Sequence, residues 1–362
     1  MLMLSTKPLA VCYFQKNLAS LKQTISSTLK HMKPKRKPSG ATVSVAVYGS
    51  GRIGRIIAAL LADSNEFQVT VIDQDEGALE KAKQITDDKV ICRRGDASDS
   101  EFSESITRVH DVVIGALPYD MLPSLANSAI SGGASYFDMT EDEHAATEIV
   151  ALENKCSDGQ FIVTQCGLAP GFTSIFGMAL AKRFEQIKSL TIRVGALPID
   201  SSINSLGYSL TWSPEGLINE YSQQCEAIED GIKTYLPPLR YLDRSIIQGT
   251  NYECFTTSGG ISRLCDRIKK EYPSIKTVNY KTIRYPGHAE IMRILLQELQ
   301  LGLPKWRKTM SQILVEAIPA TTEDKVIVRF EAEGLRGPLT MREVCEGEVR
   351  GPHCIAGEPW SS

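Results

Sequence analysis

Six residues, Gly49-Ser50-Gly51-Arg52-Ile53-Gly54, constrain this 362-residue chain more than any others. They follow an apolar run, Val43-Ser44-Val45-Ala46-Val47-Tyr48, that reads as a strand. They open a stretch in which Ile53, Ile56, Ile57, Leu60 and Leu61 recur at helical spacing. A second strand, 68–72, leads into Asp73, 19 residues after Gly54. In a strand–turn–helix unit each glycine has a physical task. Gly49 permits the tight turn, Gly51 lets a phosphate approach the backbone, and Gly54 lets helix and strand pack closely. The helix start offers unpaired N–H groups and a positive dipole to anionic oxygens. A glycine turn without a ligand needs neither the following helix nor the acid at the next strand end. The combination therefore predicts a dinucleotide site over residues 49–54.

The same alternation continues. Strands are expected around 90–92, 111–116, 136–138 and 161–164, with helical stretches between them. This is the pattern of a parallel sheet with helices on both faces, a Rossmann doubly wound α/β fold. After Gly171 the strands are longer and more polar, at 189–194, 252–257 and 276–285. An amphipathic helix after Pro286 carries Ile291, Ile294, Leu295 and Leu299. The expected organisation is a basic arm over 1–40, a dinucleotide domain over 41–170, a mixed α+β substrate (dimerisation) domain over 171–335 and an unmatched tail over 336–362. Residues 340–362 show no apolar periodicity and read as frayed.

Charge divides the chain unevenly. Residues 1–40 hold eight Lys or Arg and no Asp or Glu, leaving 32 basic against 43 acidic residues in the remainder. The arm has three readings: a transit peptide, a basic tail, or residues upstream of a start at Met32. A single Arg, Arg36, argues against the first, and a tail without a fold is the simplest. The acidic body makes a nucleic-acid surface unexpected, and no apolar run approaches the ~18 residues of a membrane span. Nine cysteines without a C-x-x-C pair and five dispersed His predict neither disulfides nor a metal. Free thiols suggest a reducing compartment, so a cytoplasmic location is expected.

Further residues are placed by position. Asp73 faces the ribose hydroxyls and repels a 2′-phosphate, and Gln74, Asp75 and Glu76 supply no cation, so NAD is expected over NADP. Asp96 and Ala97, after the third strand, either border the adenine or form a helix-capping turn. Ala116, Leu117, Pro118 and Tyr119 follow the fourth strand, and residues 166–171 follow the sixth. Such loops border the ligand crevice. Asp138 ends the fifth strand as a carboxylate aimed there or as a helix cap.

Four stretches then carry a resemblance: Gly167-Leu168-Ala169-Pro170-Gly171, residues 206–217 with Trp212-Ser213-Pro214-Glu215-Gly216, Thr257-Ser258-Gly259-Gly260, and Arg284-Tyr285-Pro286-Gly287-His288. Over residues 43–302 the chain resembles the saccharopine dehydrogenase family, most closely its lysine 6-dehydrogenase-like members. The resemblance implies NAD(P)-dependent oxidation at a C–N bond of an amino acid, or the reverse imine reduction, by a homodimer. It implies a nicotinamide and substrate border at Leu117, Pro118, Tyr119, Asp138 and Gly167, Leu168, Pro170 and Gly171. A neutral amine is needed before hydride leaves, so a base is required. The candidates are Asp138, Tyr119, His288 and Tyr285, His288 being equally suited to packing. Arg284 is the candidate cation for a substrate carboxylate, or else an ion pair. Ser258 and Gly259, expected to open a helix, would supply N–H groups, and Tyr208 lies in the 206–217 stretch. Alternatives from other classes are a nucleotide-binding regulator, since residues 43–99 also resemble regulatory domains of potassium transport systems, and an inactive relative.

Overall fold

The computed structural model describes residues 42–352 apart from 211, 262, 320 and 322. The basic arm and the last ten residues, with Cys12, His31, His353 and Cys354, lie outside these. The first domain is built on β1 (Val43–Tyr48), β2 (Phe67–Asp73), β3 (Ile91–Arg94), β4 (Val112–Gly115), β5 (Ser135–Asp138) and β6 (Ile162–Val163). All pair in parallel in the order β3-β2-β1-β4-β5-β6. Between them run α1 (Arg52–Asp63), α2 (Glu76–Ile85), α3 (Ser100–Thr107), α4 (Leu122–Gly132) and α5 (Glu143–Ala151). Alternate residues of β1 enter different cores, Val45 and Val47 on one face and Ala46 and Tyr48 on the other. A strand covered on both faces must be apolar throughout, which is why β1 reads as an unbroken run. Asp75, Asp99 and Asp142 cap the helices that follow them, accepting from the N–H groups of Gly77, Phe102 and Ala145 at 2.8, 3.1 and 2.8 Å. The strand order reverses between β1 and β4, and their carboxyl ends open a crevice.

The second domain is centred on β7 (Gln186–Pro198), which pairs with β12 (Thr277–Arg284) in parallel and with β13 (Glu323–Arg336) antiparallel. The sheet continues outward through β11 (Thr250–Thr256) and β10 (Asp243–Ile247) on one side and β14 (Leu339–Pro352) on the other. β8 (Cys225–Glu229) and β9 (Ile232–Leu236) form a hairpin attached through β12. Helices α6 (Phe172–Ala181) and α8 (Leu264–Glu271) cover one face over Ile192, Val328 and Phe330. A separate core of Leu217, Tyr221, Phe255, Met292 and Leu314 joins α7 (Pro214–Glu220), α9 (His288–Arg293) and α10 (Pro304–Ala317).

Two expectations are corrected. Residues 339–352 are not frayed: β14 pairs with β13 along its whole length. Its apolar periodicity is missing because charges carry its cross-strand contacts, Arg329 with Glu346 and Arg342 with Glu331. Residues 257–260 do not open a helix, since α8 begins only at Leu264. The helix expected after Pro286 is present: it starts at His288 and continues as a π-helical turn over Ile294–Glu298. Among the described residues no helix is long and apolar enough to cross a membrane.

Candidate functional site

The glycine turn is shaped by close approach. Gly49 has φ +97°, and a Cβ there would meet the Ala116 carbonyl oxygen at 2.3 Å. A Cβ on Gly54 would meet the Gly49 oxygen at 1.8 Å, so the helix start presses directly on the turn. A Cβ on Gly51 would meet nothing within 4 Å: this glycine clears space instead of filling it. That is the cradle a pyrophosphate requires, and the residues fit a dinucleotide.

Asp73 braces the turn, its Oδ2 accepting from the Ser50 N–H at 2.6 Å and its Oδ1 from the Asp75 N–H at 2.9 Å. The buried Ser50 hydroxyl points inward and donates to the Ala78 carbonyl at 2.8 Å, so only its backbone borders the cradle. Arg52 reaches across to the second domain and donates to the Leu210 carbonyl at 3.1 Å, while Ile53 stays exposed. Asp96 accepts from the Ser98 N–H at 2.8 Å, and these Ser98 bonds hold its carboxyl below the usual range. It forms a turn, with Ala97 in it, beside the carboxyl end of β2, where the Gly95 N–H donates to the Asp73 carbonyl at 3.0 Å. The β2–β3 register sets Arg94 beside Asp73, an exposed cation that inspection of residues 74–76 misses.

Across the crevice, the Ala116 N–H donates to the Tyr48 carbonyl at 2.8 Å, fixing Leu117 and Pro118 at the end of β4. Tyr119, half-buried, begins the 3-10 turn Tyr119–Met121. Asp138 is fully buried, and its Oδ1 accepts from the Thr140 N–H (2.9 Å), the Thr164 hydroxyl (2.8 Å) and the Gln165 N–H (3.1 Å). Burial raises its pKa against those donors. It ties the β5 and β6 loops together and does not cap α5, which is the task of Asp142. The Gly167–Gly171 bridge, with a cis Ala169–Pro170 bond and φ +125° at Gly171, folds a tight loop with Leu168 exposed at its tip. From it α6 starts, and Thr173 donates to the Gly260 carbonyl at 2.8 Å.

On the second domain, a buried chain of hydrogen bonds has one direction. Arg284 Nε donates to the Tyr221 hydroxyl at 3.0 Å. His288 Nδ1 faces the Leu206 carbonyl at 3.0 Å and must carry the proton. His288 Nε2 therefore accepts from the Tyr221 hydroxyl at 3.0 Å. Burial, and then the Arg284 charge, push the His288 pKa down to about 3. The expectation of His288 as a base is corrected here. It is fully buried, and both ring nitrogens are hydrogen-bonded within the protein. Tyr285 is excluded likewise, its hydroxyl donating to the Pro198 carbonyl at 2.9 Å beside Tyr252. Arg284 is only 3% exposed, with its guanidinium 5.0 Å from the centre of the Tyr208 ring. Ser258 is held by its N–H on the Glu220 carbonyl at 3.0 Å and its hydroxyl on the Asn219 carbonyl at 3.3 Å, while Gly259 takes φ +75°.

The two domains meet at a polar seam that sequence reading does not isolate, because its members belong to no motif-like spacing. Asp142 Oδ2 accepts from the Gln223 side chain at 3.3 Å and from that of Asn219 at 3.5 Å. Glu141 lies against Gly216 and Gly259. Glu220, at the end of α7, is 7% exposed. Burial pushes its pKa up to about 8, with Arg284 opposing and Glu141 adding to the rise.

Comparison with known proteins agrees with this layout. Residues 45–163 match the saccharopine dehydrogenase NADP binding domain, and residues 167–343 match the saccharopine dehydrogenase C-terminal domain. The saccharopine dehydrogenase [NADP(+), L-glutamate-forming] of Saccharomyces cerevisiae is 24% identical over 314 residues, covering 80% of this chain and 67% of the relative. The mitochondrial alpha-aminoadipic semialdehyde synthase of Bos taurus is 25% identical over 263 residues, 70% of this chain; the matched part is 28% of that longer protein. The solved apo saccharopine dehydrogenase (L-Glu forming) of Saccharomyces cerevisiae has the same fold, with a TM-score of 0.69 at 16% identity, over 87% of this chain and 86% of that one. One family model ends where β6 ends and the other begins at the loop that launches α6, so that between them they take in both the glycine cradle and the seam: the chain belongs to the saccharopine dehydrogenase family.

Proposed function

We propose that this protein is a nicotinamide-dependent oxidoreductase that acts on the C–N bond of an amino acid, with saccharopine or lysine as the substrate class. The observation that carries the reading is the open space before Gly51 facing a second domain whose buried Arg284 and Glu220 suit a zwitterion. The nicotinamide, when bound, accepts the hydride. The carbon–nitrogen bond becomes an imine, which water opens to a carbonyl compound and a free amine; the reverse sequence is reduction. Leu117, Pro118 and the Gly167–Gly171 loop border the reacting carbon. Tyr119 and Asp138 remain the candidates for the proton on the amine, from the carboxyl ends of β4 and β5. Arg284 is the candidate partner of a substrate carboxylate, whose desolvation without one costs several kcal/mol.

For the cofactor, Asp73 supports NAD and Arg94 supports NADP. The expectation of NAD over NADP rests on the absence of a cation after Asp73, and the strand register supplies one. The reading is a site that accepts both. The test is absorbance at the reduced-nicotinamide band with L-saccharopine and L-lysine, using each cofactor in turn. Turnover is expected with one of these amino acids, and Arg94→Ala should raise the KM for NADP severalfold while leaving that for NAD unchanged. A chain that binds the dinucleotide and turns over neither amino acid fits the regulator or the inactive relative instead.

The free thiols fit a reducing compartment, so a cytoplasmic location goes with this reading. A homodimer formed through the second domain does too, and sedimentation checks it.

A further inference from the structure

At the seam, two carboxyl groups from different domains come together. Glu220 is nine-tenths buried, yet its side chain makes no hydrogen bond or ion pair with any described residue. Arg284 attracts it, but the guanidinium is bonded elsewhere, to the Tyr221 hydroxyl and, at 2.9 Å, to the Ile283 carbonyl. Glu141 approaches from the loop after β5. Its charge adds to the rise in the Glu220 pKa, and its carboxylate accepts from its own backbone N–H beside Asp142 and Asp138. Two glycines make room for this residue: a Cβ on Gly216 would lie 2.6 Å from Glu141 Oε1, and one on Gly259 would lie 3.0 Å from the Glu141 carbonyl oxygen. A third group stands in the same cluster. The Tyr208 hydroxyl is fully buried, feels both Arg284 and Glu220, and lies beside the Trp212 side chain without a well-aligned hydrogen bond.

Buried acceptors are almost always satisfied, and buried carboxylates are paired. A buried carboxyl group without a partner, flanked from the two domains by a second carboxylate and a phenol hydroxyl, therefore describes a site for a donor that the chain itself does not provide. Among the described residues no three His, Cys, Asp or Glu side chains are grouped to hold a metal ion, and this cluster offers two carboxyl groups only. A primary ammonium carries one positive charge and three N–H donors, which matches two carboxylates and a hydroxyl. We propose that Glu220 and Glu141, with the Tyr208 hydroxyl, form the subsite that receives the non-reacting α-ammonium group of the amino-acid substrate. This rests on the function proposed above and assigns residues to it. The subsite is complete only when both domains are in contact, so it links recognition of the amino acid to the closed arrangement of the crevice.

Charge gives the subsite a pH signature. The groups facing Glu220 are Arg284, Glu141, Tyr208, Tyr221, Tyr280 and Cys225. Burial keeps Glu220 largely protonated near neutrality, and an arriving ammonium favours its ionised form. Binding then releases a proton, and affinity rises with pH up to about 8.

Calorimetric titration of the full chain with L-saccharopine, L-lysine and 6-aminohexanoate, which lacks the α-ammonium of lysine, tests this. Reduced-cofactor fluorescence on the same samples reports the integrity of the first domain. Expected are binding of saccharopine or lysine by the wild type, a loss of ~10-fold or more in Glu220→Gln and in Glu141→Gln, the scale of one charge-assisted hydrogen bond, and unchanged cofactor affinity. The pH slope should flatten in Glu220→Gln, and 6-aminohexanoate should bind poorly and respond to neither substitution. If Glu220→Gln does not fold, the half-buried Glu141→Gln carries the same expectation. Wild-type affinity retained in both variants, or 6-aminohexanoate binding as well as lysine, overturns this inference alone. A wild type that binds cofactor but neither amino acid overturns the proposed function and this inference with it.

Discussion

His288 shows how a residue suited to catalysis becomes structural through its neighbours. Its neutral ring is fixed in one tautomer by a carbonyl on one side and a tyrosine hydroxyl on the other, with a guanidinium bonded to that same hydroxyl. Its folded pKa lies near 3 against an ordinary 6.5. The sign follows: its contribution to stability is fully present above about pH 6.5 and is lost as pH falls toward 3, at about 1.4 kcal/mol per pH unit. Urea unfolding of wild type and His288→Gln between pH 4 and 7 checks this. The variant should be weaker at pH 7 and lose less on acidification; parallel losses would place the acid sensitivity in other groups. Glu220 acts with the opposite sign, because its raised pKa favours folding below about 4.5 and loses that effect as pH rises through about 8.

At the scale of elements, the hairpin of β13 and β14 carries the largest difference between expectation and structure. Its two 14-residue strands are held by a full antiparallel ladder and by charges such as Arg183 and Arg336 on Glu343. Ending the chain at residue 338 should expose the edge of β13, lower the melting temperature by several degrees and produce aggregates in size-exclusion chromatography. An unchanged, monodisperse profile would show that β13 needs no partner. The first domain was legible because its strands are buried on both faces and its turns use glycine. The six strands, the glycine cradle and Asp73 follow from runs and spacings within about thirty residues. β14 was not legible, since a strand whose contacts are ion pairs has no apolar period to detect. The seam was hidden for another reason. Glu141 and Glu220 are far apart in sequence and become neighbours only when the loop after β5 meets α7. Arg94 is likewise a product of register, adjacent to Asp73 through the β2–β3 ladder alone.

At the scale of the molecule, the domains are coupled through small contacts: Arg52 on Leu210, Asp142 on Asn219 and Gln223, and Glu141 against two glycines. Gly216→Ala would set a methyl 2.3 Å from the Trp212 ring and 2.6 Å from Glu141 Oε1. It should force the seam apart, raising the KM for the amino acid ~10-fold or more while the dissociation constant for reduced cofactor stays constant. A matching loss of cofactor affinity would mean that the first domain is disturbed as well. The pairing of β7 with β13 has a consequence for synthesis. Arg193 and Glu331, an ion pair across these strands, are 138 residues apart. At about 5–20 residues per second, a ribosome needs roughly 7 to 28 seconds to deliver the partner of the central strand. The first domain can close on itself during that interval. The second cannot, and its central strand emerges with one long edge bare. The nascent chain is thus most vulnerable to wrong association in its second half, after half of the ligand crevice already exists.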